Sequence, residues 1–421
     1  MQVLRTTWSK LGPGFLYAGA AIGVSHLVQS TKAGAQYGLS LIGIVLLANV
    51  LKYPFFEAGP RYAIATGESL IDGYKKIGKW AVVLFTLLTI STAFIIQAAV
   101  TIVTAALFGN LFSYEGSALL SSTIVLVVCV AILLLGSYSR LDSLVKWLVV
   151  LLTVASIIAF LKASATASDW DAKWPAWSME GSFILFLFAL VGWMPAPMDI
   201  SAWHSLWTVE KKQHEKGQLT KKDALRDFHI GYWGTAFLAL VFVGLGALVL
   251  YGSSDDNFLT LGGAAFSQKL IQLYTDTMGG WMYPIIAFAA FATMFSTTLT
   301  VLDGAPRVLA KLYEALFPST NNPNNKIYKL AILIIASGAL FLILIFGGNA
   351  SFKTLIQIAT TASFVTAPLI AFLNYRLLFG DHLSAEDQPG ELNKWIARIG
   401  LFCLSGFALI YLFHLAGFIQ F

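Results

Sequence analysis

Charged residues are scarce in this chain of 421 residues: only 12% are Asp, Glu, Lys or Arg, whereas 57% are hydrophobic. Soluble domains carry about 25% charged residues. The scarcity of charge therefore excludes a soluble globular protein and predicts an integral membrane protein. The first ten residues are polar, and no small-residue cleavage site follows a short apolar core. We therefore expect no cleavable signal peptide and a first hydrophobic segment that stays in the membrane.

The chain also lacks the sequence motifs of enzymes and of ATP-driven pumps. It contains no Walker-type glycine loop, no nucleophile motif and no cluster of His, Cys and carboxylate residues at the spacing of a metal centre. Its two cysteines, Cys129 and Cys403, lie in apolar runs, where buried free thiols are the expected state. No basic patch is interleaved with stacking aromatic residues. We expect no enzyme activity, no organic cofactor and no nucleic-acid partner.

Hydrophobic runs of about 20 residues, the length of a bilayer-spanning helix, occur eleven times. They are centred on residues 13–31, 39–60, 81–108, 118–136, 144–162, 181–203, 229–251, 281–302, 327–346, 354–378 and 396–418. If the N-terminus is cytoplasmic, the inner loops hold 21 of the 27 Lys and Arg residues and the outer loops hold five. Lys and Arg resist translocation. We therefore predict a multi-pass protein of the cell (inner or plasma) membrane with a cytoplasmic N-terminus and an outside C-terminus.

Two of the eleven segments carry helix-breaking residues near their middle. The first, within Gly12–Gly38, holds glycines at 14, 19 and 23, and polar residues including His26 follow them. The sixth holds Pro195 and Pro197, each of which lacks a backbone donor and clashes with the preceding turn. A helix that only spans lipid rarely contains such residues. Both segments are therefore predicted to unwind inside the membrane and to offer backbone groups to a solute.

The two interrupted segments lie five segments apart, so the second one crosses the membrane in the opposite direction. Paired interrupted segments in corresponding positions indicate an inverted-repeat transporter with a central site. The predicted fold is an all-α membrane domain of five plus five inverted segments. The repeats lie at about 12–165 and 178–380, and an additional eleventh helix lies at 394–418. Outside the membrane, Thr260–Met278 is predicted to form a short amphipathic helix.

Three groups of residues near the breaks could bind a solute or ion. The Pro195–Pro197 break frees the carbonyls of Val191 and Gly192 to bind a cation or a donor. Asp199 follows, and a lone carboxylate at mid-membrane costs about 2.5–3.5 kcal/mol, so a functional role is the default; the alternative is a hydrated position near the cytoplasmic surface. The hydroxyls of Ser296 and Thr297, with carbonyls of Ala20–Gly23, suit a hard monovalent cation, although such hydroxyls often bond to their own helix.

Other polar residues in the segments have simpler interpretations. Gln97 and Asn374 are expected to form hydrogen bonds between helices. Lys52 is expected to pair with Glu57 or to extend towards the membrane surface. Asp303 and Arg307, four residues apart, are expected to form a local ion pair.

Several short stretches resemble the NRAMP (natural resistance-associated macrophage protein) divalent-metal transporters. They are GPGFL at 12–16, AGAQYG at 33–38, LLAN at 46–49, IATGESL at 64–70 and the pair Met194-Pro195. Spacing and segment number agree over nearly the whole chain. The resemblance implies the leucine-transporter fold, with a substrate site between the unwound first and sixth helices.

The chain departs from the family pattern at the site itself. The resemblance aligns the family's Asp-Pro-Gly-Asn with Gly23-Val24-Ser25-His26, so the acidic ligand becomes glycine. The family's Met-Pro-His-Asn becomes Met194-Pro195-Ala196-Pro197, which keeps the Met and loses the His. The family's acidic proton-path positions fall on Ala93 and Ile96. A hard divalent ion needs oxygen ligands and compensating charge, and these residues supply little of either.

The first hypothesis is therefore a cation-coupled (Na+ or H+) symporter of a small solute, in which Gly23 opens space and Na+ binds at Ala20, Gly23, Ser296 and Thr297. The predicted substrate-binding residues are Gly23, Ser25, His26, Gln97, Gly192, Met194, Ala196 and Asp199. The second hypothesis is an importer of Mn2+, Fe2+ or Mg2+ with a rebuilt site of Met194, His26 and Asp199. The third is a non-transporting membrane sensor, as in the NRAMP-like domain of plant ethylene-signalling proteins.

Overall fold

The computed structural model describes residues 12–114, 116–136, 138–167, 170–177, 180–215, 218–252, 263–317, 324–346 and 349–420. The polar N-terminal stretch 1–11 and the first three residues of the predicted helix at 260–278 lie outside these ranges. The described part is all-helical, as predicted. Its α-helices in chain order are α1 Pro13–Ala21, α2 Thr31–Tyr37, α3 Ile42–Thr66, α4 Leu70–Ile77, α5 Lys79–Leu111, α6 Ala118–Leu135, α7 Tyr138–Thr166, α8 Gly181–Trp193, α9 Ile200–His214, α10 Lys221–Leu245, α11 Gly263–Met278, α12 Tyr283–Leu316, α13 Asn324–Ile345, α14 Asn349–Phe379 and α15 Glu391–Leu415.

Eight described helices are long and apolar enough to cross a membrane. They are α3, α5, α6, α10 with its short π-helical extension Gly246–Leu250, α12, α13, α14 and α15. The fifth predicted segment is α7, whose apolar part is Val150–Thr166. The first and sixth segments are each divided into two short helices, which is why neither qualifies by length. The chain is a multi-pass membrane protein whose helices match the eleven predicted segments.

Both predicted interruptions are confirmed. In the first segment α1 ends at Ala21, and a π-helical stretch, Val24–Ser30, leads into α2. In the sixth segment α8 ends at Trp193, residues 194–199 are non-helical, and α9 begins at Ile200. The bond between Met194 and Pro195 is cis. Each interruption leaves the last carbonyls of one half-helix without a helical partner.

Pairs of small residues bring the first segment against α10 at both of its ends. A Cβ atom on Gly14 would lie 2.6 Å from the carbonyl carbon of Asp227, and one on Gly231 would lie 2.9 Å from the carbonyl carbon of Gly14. At the other end, a Cβ on Gly34 would lie 2.7 Å from the nitrogen of Ala247. Small residues allow helix backbones to approach this closely in membranes. The first segment therefore packs closely against α10 on either side of its break.

Polar contacts complete the framework. Asn374 of α14 accepts from the hydroxyl of Tyr74 at 2.6 Å and donates to the carbonyl of Phe55 at 2.9 Å, which confirms the expected interhelical role. The Asp303–Arg307 ion pair is also confirmed, at 2.7 Å. Cys129 and Cys403 are free thiols, as expected. The described part of the helix predicted at 260–278 packs its apolar face inward, because Phe266, Leu270 and Tyr274 are among its buried residues.

The N-terminus of α1 is held by a carboxylate of α10. Asp227 accepts hydrogen bonds from the backbone nitrogens of Gly12 at 3.2 Å and Gly14 at 2.7 Å. Asp227→Asn replaces one accepting oxygen and removes the charge, so we expect a loss of about 1–2 kcal/mol of unfolding free energy, the usual worth of a charge-assisted hydrogen bond. A lower melting temperature of the purified protein would show it. Asp171→Asn, at an exposed position, is the control, and an equal shift in both variants would contradict this role.

Candidate functional site

The break in the first segment is capped by α12. The nitrogen of Ile22 donates to the carbonyl of Ala18 at 2.7 Å, so α1 closes with a last regular turn. The hydroxyl of Thr297 donates to the carbonyl of Gly19 at 2.8 Å. The structure therefore places one of the two hydroxyl residues predicted for an ion site on the last turn of α1, next to the break.

Gly23 lies against the same side chain. A Cβ atom on Gly23 would come within 2.7 Å of Cγ2 and 2.9 Å of Oγ1 of Thr297. The expectation that Gly23 opens space for a solute is wrong, because Thr297 fills that face. Ser296 is adjacent: its Oγ lies 3.6 Å from the position of a Cβ on Gly19. Ala20, in the same turn as Gly19, is buried as well.

The break in the sixth segment is capped by a lysine. Lys52 of α3 donates from Nζ to the carbonyl of Val191 at 2.5 Å and to that of Gly192 at 3.0 Å. The two carbonyls are those that the Pro195–Pro197 break was predicted to free. The side chain has no exposed surface. The predicted pairing of Lys52 with Glu57, or its extension to the membrane surface, is therefore wrong.

Glu57 has another partner, since it forms an ion pair with Arg61 at 2.6 Å. Within the described residues Lys52 has no carboxylate partner. The C-terminus of a helix carries partial negative charge on its last carbonyls, and an ammonium group offers three donors. Lys52 thus holds at the end of α8 the position that a bound cation would take. The sequence held one indication of this role. Glu57 and Arg61 are four residues apart, which favours their pairing and leaves Lys52 without a local carboxylate partner.

His26 faces α10 and is fully buried. Its Nε2 lies 2.9 Å from the carbonyl of Thr235, and its Nδ1 lies 2.8 Å from the carbonyl of Ala21 and 2.7 Å from the hydroxyl of Ser25. The Ser25 hydroxyl donates to Ala21 at 2.5 Å. Both ring nitrogens are therefore engaged by the protein. A metal ion could bind His26 only after displacing one of these partners.

The predicted residues of the sixth segment have different surroundings. Met194 is fully buried in an apolar cluster with Phe183 and Phe186. Ala196 is fully buried too. Asp199 is 6% exposed and occupies the N-cap position of α9, where a negative charge is favoured by the helix dipole. The interpretation of Asp199 as a hydrated surface carboxylate does not fit this burial.

Gln97 lies on the α12 side of α5. Its amide nitrogen is 3.2 Å from the hydroxyl of Thr101 and 3.4 Å from the carbonyl of Thr298. Its Oε1 atom is buried and has no hydrogen-bond partner among the described residues. Gln97 therefore has one acceptor atom, Oε1, that is available for a further hydrogen bond.

Within the described ranges, no group of three or more His, Cys, Asp and Glu side chains is arranged to hold a metal ion. The residues predicted for a rebuilt metal site, Met194, His26 and Asp199, include only one carboxylate. The donors that do converge on the breaks are hydroxyls and carbonyls at the first segment, and carbonyls already bound to Lys52 at the sixth. This chemistry suits a monovalent cation at the first break better than a divalent ion between the two.

Comparison with known proteins identifies similar chains. A family profile described as natural resistance-associated macrophage protein-like (Nramp) matches residues 14–414. An uncharacterized protein of Pasteurella multocida, PM0681, is 37% identical over 430 aligned residues, covering 100% of this chain and 96% of its own length.

Two solved structures show the same fold. A manganese transporter of Eremococcus coleocola superposes with a TM-score of 0.73 at 14% identity, covering 97% of this chain and 87% of its own. MhsT in complex with L-phenylalanine gives a TM-score of 0.58 at 14% identity, covering 94% of this chain and 98% of its own. At these identities the likeness concerns the fold alone.

Proposed function

The chain belongs to the Nramp family and is a secondary transporter with the leucine-transporter fold, and on this basis we propose that it moves a small solute together with a monovalent cation. The proposed cargo is not the divalent metal carried by relatives such as the Eremococcus coleocola manganese transporter. The proposed membrane is the cell membrane, with the N-terminus in the cytoplasm, because Lys and Arg are concentrated in the loops on that side.

One observation carries this proposal: Lys52 binds the carbonyls of Val191 and Gly192. A protonated lysine about 4 Å from a dication repels it by roughly 8 kcal/mol at an effective dielectric constant of about 20. The first segment offers no compensating carboxylate, since Gly23 to His26 contain none. A divalent ion between the two breaks would therefore meet a lysine that occupies two of the backbone carbonyls, and few anionic ligands.

The coupling ion is proposed to be Na+, bound where Thr297 and Ser296 of α12 meet the carbonyls of the Gly19–Gly23 turn. Hydroxyl and carbonyl oxygens are the ligands that hard cations prefer. Two of these oxygens, the hydroxyl of Thr297 and the carbonyl of Gly19, lie 2.8 Å apart. Binding of Na+ there would join α12 to the first segment on either side of the break.

The ion site is tested by the double variant Ser296→Ala, Thr297→Ala. We expect it to weaken solute uptake by about tenfold or more and to remove its dependence on sodium, because two oxygen ligands are lost, at about 1 kcal/mol or more each. Uptake into proteoliposomes is measured with a sodium gradient and with a potassium gradient. Thr298→Ala is the matched control, because Thr298 lies on the same helix but faces Thr104 of α5 at 2.7 Å. Undiminished sodium-dependent uptake by the double variant would refute the assignment.

A second candidate function is the family's divalent-metal transport. It is favoured by the retention of Met194 and by the manganese transporter among the structural neighbours. Calorimetric titration of the purified protein with Mn2+ and Mg2+, combined with Mn2+ uptake into proteoliposomes, separates the two functions. Saturable Mn2+ uptake would refute the small-solute proposal in favour of metal transport. The absence of metal binding at millimolar concentration would support the small-solute proposal.

A further inference from the structure

A cavity of about 200 Å³ lies beside the two interrupted segments. It is bounded by the second half of the first segment, by α8 and by the start of α14. We call it the two-lysine cavity. Its lining residues are Gln29, Lys32, Ser182, Leu185, Phe186, Ala189, Lys353, Ile356 and Gln357.

Both charged residues of the cavity are cationic. Lys32 comes from α2 and is buried, whereas Lys353 comes from α14 and is exposed; neither forms an ion pair within the described part of the chain. The lining contains no carboxylate. Glu180 is two residues before the lining residue Ser182, but it is exposed at the N-terminus of α8 and is not part of the lining.

Lys32 is unusually enclosed for an unpaired lysine, with 4% of its surface exposed. Its Nζ lies 5.9 Å from the centroid of the Phe266 ring, at the limit of a cation–π contact. A charged side chain within a membrane segment costs about 2.5–3.5 kcal/mol, and a second lysine in the same small cavity adds repulsion. An anion bound between them would offset both costs.

The remaining lining residues define the kind of anion. The carboxamides of Gln29 and Gln357 and the hydroxyl of Ser182 can donate hydrogen bonds, while Leu185, Phe186 and Ile356 form an apolar wall. An apolar wall favours an organic anion over a fully hydrated inorganic one. At about 30 Å³ for each water molecule, the cavity has the volume of roughly six or seven waters, which is enough for a small organic anion.

We propose that the two-lysine cavity binds a small carboxylate-bearing organic anion and that this anion is the transported solute. The inference rests on the proposed function and names its substrate class. The absence of a lining carboxylate disfavours an amine or an amino-acid zwitterion, because its ammonium group would meet two lysines and no counter-charge. It also disfavours a metal ion approaching from this side. The proposed Na+ at Thr297 would supply the charge that accompanies the anion across the membrane.

Thermal unfolding of the purified full-length protein tests the proposal with defined probes. Succinate and acetate are the anions, succinamide is the uncharged analogue, putrescine is the cation and inorganic phosphate is the non-organic anion. We expect at least one carboxylate at millimolar concentration to raise the melting temperature, whereas succinamide and putrescine do not. Lys32→Gln and Lys353→Gln should each reduce the apparent affinity by about tenfold or more, the usual effect of losing one charge-assisted contact.

Matched variants separate charge at this cavity from charge in general. Lys162→Gln removes an exposed lysine from the end of α7, outside the cavity lining, and should leave the shift intact, while Lys353→Arg should retain it. The melting temperature without probe shows whether each variant is folded. Stabilisation by none of the carboxylates, or equally by phosphate or succinamide, would overturn the inference.

Transport measurements distinguish this failure from failure of the proposed function. Sodium-dependent uptake of an uncharged or cationic solute would overturn the anion assignment and leave solute symport standing. Saturable Mn2+ uptake that is unaffected by Lys32→Gln would instead overturn the proposed function itself. Sodium-dependent uptake of a carboxylate, weakened in both lysine variants, would support the proposed function and the anion assignment together.

Discussion

Lys52→Met is expected to abolish transport and to lower the free energy of unfolding by about 2 kcal/mol. The substitution removes the donor of two hydrogen bonds and leaves the carbonyls of Val191 and Gly192 without it. An unsatisfied buried acceptor costs about 1–3 kcal/mol, and part of this is offset because a buried ammonium is no longer desolvated. Transport is expected to fail because the end of α8 loses the group that holds its unwound geometry next to the proposed site.

The effect of Lys52 is separated from general effects of charge by Lys75→Met. Lys75 is exposed on the short helix α4, and its replacement should change stability by less than about 0.5 kcal/mol. Lys52→Gln retains one donor group and should fall between Lys52→Met and the unmodified protein. Melting temperature and uptake into proteoliposomes are measured on all three variants. Uptake by Lys52→Met at the unmodified rate would contradict a role for this lysine at the sixth-segment break.

Gly34→Ala is expected to destabilise the protein by about 3 kcal/mol and to block transport. A Cβ atom at this position would overlap the carbonyl oxygen of Val243 and would lie 2.7 Å from the nitrogen of Ala247. These are backbone atoms, so no side-chain movement can relieve the clash, and overpacking of this kind costs about 1–3 kcal/mol or more. The first segment would have to separate from α10, which moves Gln29 and Lys32 relative to α8 and α14.

Gly43→Ala is the matched control, because a Cβ on Gly43 would meet no atom within 4 Å. Gly43 lies in α3, where Ala is a better helix former than Gly by about 1 kcal/mol. The control should therefore be neutral or slightly stabilising. The protein has 12 tryptophans, whose fluorescence reports thermal unfolding. Similar melting temperatures for the two variants would contradict the close approach of the first segment and α10.

Much of the architecture was predictable because it depends on local chemistry. Hydropathy is a property of consecutive residues, so it located the membrane segments without knowledge of their neighbours. Pro195 and Pro197 break a helix through their own rings, and the break at residues 194–199 follows the prediction closely. The i, i+4 spacing was sufficient for the Asp303–Arg307 pair. Helix ends were less well predicted: the eighth segment was placed at 281–302, whereas α12 continues to Leu316.

The partners of the site residues were not predictable in the same way. Lys52 and Val191 are 139 residues apart in the sequence, and His26 and Thr235 are 209 apart. Nothing in the local pattern around Lys52 distinguishes a lysine that caps a distant helix from one that extends to the surface. Gly23 likewise was expected to open space, and only the position of α12 shows that Thr297 fills it.

The two-lysine cavity is the clearest case of a feature that the sequence could not predict. In the sequence, Lys32 is a polar residue after a glycine-rich stretch and Lys353 belongs to a loop near the tenth segment. Their combination arises because α2, α8 and α14 meet at this cavity. Composition and hydropathy were enough to determine a membrane transporter with two broken helices, because burial in lipid constrains each segment separately. Tertiary packing alone decided which charges line the cavity, because a cavity is made of contacts between segments that are remote in the chain.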